Sequence, residues 1–92
     1  MNINDDLVNL FLSDPFFNAF QLQTSDGYLY RFDKDSKSDK IILYLIDDEL
    51  VKFKKLIPYH KCIKILKSFE NVKRVRLSDK KINLTSLKFK SN

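Results

Sequence analysis

A chain of 92 residues is long enough for one hydrophobic core and too short for a two-domain enzyme, a dinucleotide-binding fold with a partner domain or a barrel of strands and helices. Its 43% apolar residues, with eight Phe and four Tyr, can offset the entropy of ordering a core, while one Cys excludes a disulfide framework or multi-thiolate zinc site and one Gly excludes a Gly-rich phosphate loop. The net charge of +5 is uneven: residues 1–51 carry −6 and residues 52–92 carry +11, which points either to a polyanion site built from C-terminal elements or to a dipolar protein docking on an acidic partner.

In chain order, Asn4 or Asp5 caps a first helix whose Leu7, Val8, Leu10, Phe11 and Leu12 form an apolar face. Asp14-Pro15 stops it, because the residue before proline is pushed out of the helical region. Ala19 to Thr24 alternates apolar and polar residues as a strand does; Ser25-Asp26-Gly27 turns the chain, and Tyr28 to Phe32 returns as an aromatic strand. Residues 33–40 form a polar loop. Ile41 to Ile46 has no polar face, so it reads as a central strand buried on both sides or as one facing a partner chain through Ile41, Leu43 and Leu45.

Asp47, Asp48 and Glu49 favour a helix start. Pro58 leaves two alternatives: irregular chain as far as Ile57, or a short helix that kinks into a second one with Pro58 in its first turn. The acidic start favours the helical alternative, running through Phe69. Beyond Pro58, Tyr59, Cys62, Ile63, Leu66 and Phe69 share a face, and His60, Lys64 and Lys67 line another. Val72 to Leu77 alternates basic and apolar residues, Ser78 to Lys81 is a polar turn, and Ile82 to Phe89 is rich in β-compatible residues, which predicts a second hairpin. The expected fold is a single α+β domain: an α-β-β-β-α core over residues 1–70, a basic C-terminal β-hairpin over 71–92, and an antiparallel sheet covered on one face by helices.

Few constellations carry chemistry. Asp33, Asp35 and Asp39 resemble part of a calcium loop, but the obligatory Gly is missing and Tyr44 stands where the bidentate Glu belongs, so no metal site is expected. His60 and Cys62 are two apart, and on a helix their side chains diverge by about 200°, which rules out a shared ion or a nucleophile–base pair. The chain is therefore expected to be non-enzymatic, with no cofactor and no small-molecule substrate. The strongest signal is the set of basic residues interleaved with apolar ones: Lys73, Arg74, Arg76, Lys80, Lys81, Lys88 and Lys90, joined by Arg31. On a strand Arg74 and Arg76 point to one face, as contact with successive phosphates requires, and Arg can fork onto phosphate oxygens. Such a site reads backbone and shape rather than bases. Tyr28, Tyr30 and Phe32 form a row that belongs to the core more readily than to a base-stacking platform. No apolar run reaches the roughly 20 residues of a membrane span and the N-terminus lacks a signal-peptide pattern, so a cytoplasmic protein without membrane contact is expected.

Three local patterns in order, Leu10-Phe11-Leu12-Ser13-Asp14-Pro15, Ser25-Asp26-Gly27-Tyr28-Leu29 and Lys54-Lys55-Leu56-Ile57-Pro58-Tyr59-His60, make residues 5–69 resemble the smaller, nine-kilodalton subunit of the signal recognition particle's Alu domain. The resemblance implies a helix, a three-stranded meander and a helix, a heterodimer with a larger partner subunit, and a joint curved sheet that grips structured RNA. The family's basic cluster on its first strand is replaced here by Ala19-Phe20-Gln21-Leu22-Gln23, and the segment from Val72 onward has no clear family counterpart. The expected function is that of an RNA-binding subunit of a ribonucleoprotein. The alternative is a small protein-interaction factor, such as a phage, viral or plasmid inhibitor or adaptor, that docks its basic C-terminal half on an acidic partner.

Overall fold

The computed structural model describes residues 3–80 and the backbone of the short strand Lys88–Phe89. Helix α1 (Asp5–Ser13) starts at Asn4, whose Oδ1 accepts a hydrogen bond from the Asp6 amide at 2.7 Å, and the acidic Asp5 and Asp6 sit in its first turn where the helix dipole favours them. At its other end the Lys34 ammonium donates to the Asp14 carbonyl at 2.9 Å and lies 5.2 Å from the centroid of the Phe11 ring. Partial burial lowers the Lys34 pKa, and Asp14 opposes that shift.

Strands β1 (Ala19–Thr24) and β2 (Leu29–Lys34) form the expected hairpin. Gly27 has φ +96°, a conformation that side chains with a Cβ rarely adopt, and its amide donates to the Thr24 carbonyl at 3.0 Å. Strand β3 (Lys40–Asp47) is buried on both sides: Ile41 and Leu43 enter the main core, while Tyr44 and Ile46 join Val51 in a smaller cluster on the other face.

The segment expected to begin a helix at Asp47 is instead strand β4 (Leu50–Pro58), paired antiparallel with β3 along its whole length. Four strands rather than three therefore separate the helices. Pairing of Asp47 with Leu50 leaves a two-residue loop in which Asp48 (φ 52°) and Glu49 (φ 65°) both take positive φ, the signature of a type I′ hairpin turn. The acidic triplet is a turn with neither Asn nor Gly, not a helix start. Glu49→Gly is expected to stabilise the domain by about 0.5–1 kcal/mol by removing a Cβ from the left-handed region, seen as a higher urea midpoint with an unchanged denaturant slope.

Pro58 closes β4 and is the N-cap of helix α2 (Tyr59–Ser68), so the helix starts at Tyr59 and runs unbroken. Cys62 and Leu66 are fully buried, as the apolar face predicted. Burial pushes the Cys62 thiol up to about 12, which keeps it protonated and unreactive at neutral pH.

Of the expected C-terminal hairpin, residues 82–87 lie outside the described residues, and its two described parts are not paired with each other. Strand β5 (Val72–Ser78) pairs antiparallel with β1, and β6 (Lys88–Phe89) runs parallel to β4 at Leu50 and Val51, giving the order β5-β1-β2-β3-β4-β6. The two C-terminal strands thus sit on opposite edges of the sheet. Both helices cover one face, where Val8 and Phe11 of α1 and Cys62 and Leu66 of α2 pack on Phe20, Leu22, Phe32, Ile41, Leu43 and Ile57. The α+β class, with a helix-covered antiparallel sheet, is as the patterning predicts.

Candidate nucleic-acid interface

Register assigns each basic side chain to a face. With Phe20, Leu22 and Phe32 beneath the helices, the alternate positions lie on the opposite face of the sheet. One row across that face reads Arg76, Gln21, Arg31, Tyr44, Lys54, and the next reads Arg74, Gln23, Leu29, Ile46, Val51. Arg74 and Arg76 therefore share the face without helices, about 6.6 Å apart along β5, and both are exposed. Lys73 is exposed beside them at a register shift that breaks the β1–β5 ladder between Gln23 and Thr24. A surface groove of about 670 Å³ borders this edge, with Gln21, Gln23, Arg74 and Arg76 among its lining residues and Ile3 and Leu7 of the α1 side closing it.

Arg31 is in the same row but in a different situation. Its Nε donates to Asp33 Oδ1 at 2.9 Å, one Nη to Gln21 Oε1 at 3.1 Å and the other Nη to the Lys80 carbonyl at 2.6 Å. Its side chain is 14% exposed and that of Asp33 is 3% exposed. Three directions of its guanidinium fork are committed inside the protein, so it holds the chain after β5 against the sheet rather than presenting charge to a ligand. Burial raises the pKa of neighbouring Tyr44, with Asp33 adding to that shift and Arg31 opposing it.

The remaining sequence candidates scatter. Lys80 is exposed at the end of β5. Lys81 and Lys90 lie outside the described residues, and Lys88, described by its backbone, belongs to the edge opposite β5, so the C-terminal cations do not make one hairpin patch. Ile41 and Leu43 are interior, 0% and 7% exposed, and are spent on the helices rather than offered to a partner; Leu45 is half-buried on the same side. Phe32 is in the core, Tyr30 packs on Phe69 with ring centroids 4.7 Å apart, and exposed Tyr28 stands at the turn, so this row is no stacking platform.

Of the acidic loop, Asp33 is committed to Arg31, and Asp35 accepts from the Lys37 amide and the Ser38 hydroxyl at 3.3 and 2.7 Å. No group of three or more His, Cys, Asp or Glu able to hold a metal occurs among the described residues, and no helix among them is long and apolar enough to cross a membrane. Patterning missed Gln21 and Gln23, which only the cross-strand register brings beside Arg76 and Arg74; Lys54, at the far end of its row on β4, is four strands from Arg76 and outside this edge. No family model, curated protein or solved structure matches the chain.

Proposed function

We propose that the chain is a small, non-enzymatic RNA-binding subunit of a ribonucleoprotein that grips phosphates at the β5–β1 edge of the sheet face without helices. The observation that carries this reading is the placement of exposed Arg74 and Arg76 on one face, beside Gln21 and Gln23 and bordering one groove. Two guanidinium forks at strand spacing suit phosphate oxygens, and the two amides add neutral donors for sugar or phosphate. The likeness to the small subunit of the signal recognition particle's Alu domain supports a structured RNA as the ligand and a protein partner that completes the grip, with the cations moved from the first strand to β5.

The test is fluorescence anisotropy with a labelled RNA hairpin over a range of salt. Affinity is expected to fall with a log–log slope of about −0.7 to −0.9 for each phosphate neutralised, hence roughly −2 to −3 for Lys73, Arg74 and Arg76 together. Arg74→Glu with Arg76→Glu weakens binding about tenfold or more. A wild-type affinity in that variant, or an affinity indifferent to salt, overturns the proposal.

A further inference from the structure

The outer edge of β4 has its own character. β6 pairs with it at Leu50 and Val51, and beyond Val51 no strand among the described residues lies on that side. Lys52, Phe53, Lys54, Lys55 and Leu56 are all exposed. Phe53, opposite Leu45, points to the helix side and Leu56, opposite Ile42, to the other, and they are 44% and 47% exposed. Lys52 reaches Asp47 at 3.4 Å and Lys54 lies 5.9 Å from the Tyr44 ring centroid, while Lys54 and Lys55 form no ion pair among the described residues.

Lysines alone protect a sheet edge from unwanted pairing, but a protected edge does not also offer a large apolar side chain on each face. We infer that the Lys52–Ile57 edge of β4 accepts an extended acidic peptide segment as an added strand, its backbone pairing with the N–H and C=O groups that point away from β3 and meet no strand among the described residues, its carboxylates meeting the lysines and its apolar residues covering Phe53 and Leu56. Charge decides against a second copy of this chain: an antiparallel self-pair with matched faces sets either Lys54 against Lys54 or Lys55 against Lys55 at its centre. What favours a peptide over RNA at this edge is the apolar side chain on each face, Phe53 and Leu56, together with a strand edge whose backbone fits the donors and acceptors of another strand.

The probe is a fluorescein-labelled peptide repeating valine-glutamate-glutamate-valine, which as a strand sets an apolar residue and a carboxylate on each face, titrated into the whole protein at low salt beside the RNA hairpin. Saturable peptide binding is expected, about tenfold weaker in Lys54→Glu/Lys55→Glu and abolished when alternate peptide amides are N-methylated, with RNA affinity lowered far less by that variant than by Arg74→Glu/Arg76→Glu. The N-methylated peptide tests unaltered protein, so the result does not depend on the variant folding. The inference is overturned by absence of peptide binding, by equal binding of the N-methylated peptide, by a variant that loses RNA but keeps peptide, or by a sedimenting dimer that the same variant dissociates. Arg74→Glu/Arg76→Glu leaves peptide binding intact, which separates failure of this inference from failure of the RNA interface.

Discussion

Replacing Phe20 by alanine is expected to cost about 3–5 kcal/mol of unfolding free energy, the largest effect of any single truncation in this domain. Phe20 is fully buried on β1, an inner strand between β5 and β2, and its ring stands 5.6 Å from that of Phe11 on α1 and 6.4 Å from that of Phe32 on β2. Truncation opens a cavity at the seam between helix and sheet and removes one tilted and one edge-to-face aromatic contact of about 0.5–1.5 kcal/mol each, part of the same total. Domains of this size have about 5–15 kcal/mol to lose, so the variant unfolds at a much lower urea concentration. Phe16→Ala is the control: Phe16 is 62% exposed, and its loss should cost within about 0.5 kcal/mol. Equal midpoints for the two variants would show that the aromatic seam does not hold the domain together.

The second large effect is expected at Arg31. Arg31→Ala removes an ion pair to the buried Asp33 and hydrogen bonds to Gln21 and to the Lys80 carbonyl. Withdrawing the arginine from a buried charged pair, with two further hydrogen bonds of its guanidinium, costs about 3 kcal/mol. Arg31→Lys rescues only part of this loss, since an ammonium cannot reproduce a fork aimed at three acceptors. Arg74→Ala and Arg76→Ala are expected to leave stability within about 0.5 kcal/mol while weakening RNA binding. Thermal melts and RNA titrations on the same four variants separate the roles. If Arg31→Lys stays folded and loses RNA affinity as strongly as Arg76→Ala, Arg31 contacts the ligand; if its affinity is retained, the guanidinium is a brace.

The two elements that patterning misread share a physical cause. In residues 50–57 the apolar positions Leu50, Val51, Phe53, Leu56 and Ile57 satisfy a helical spacing nearly as well as a strand. Asp48 and Glu49 then resemble a helix start because carboxylates in a first turn are common, whereas type I′ turns without Asn or Gly are not. What selects the strand is the open edge of β3, which has no other partner for its backbone groups. The C-terminal segment errs likewise: two β-compatible runs joined by a polar turn fit a hairpin locally, yet β5 pairs with β1, some fifty residues away in sequence.

The candidate interface was legible to a similar degree. Alternation placed Arg74 and Arg76 on one face, and the register confirms that this is the face without helices. It also grouped Arg31 with them: Asp33, two residues on along the same strand, lies within reach of alternation, but Gln21 and the Lys80 carbonyl become its neighbours only when β2 pairs with β1 and β1 with β5.

Local chemistry by itself determined the first helix and its cap, the Asp-Gly hairpin, the two-sided burial of β3 and the apolar face of α2, since each rests on dihedral preference or periodicity within about ten residues. Tertiary structure alone decided that β4 is a strand, that β5 and β6 occupy opposite edges, and which cations stay free. Those outcomes depend on satisfying backbone hydrogen bonds and buried charges between segments far apart in the chain, where pairing energy outweighs local propensity.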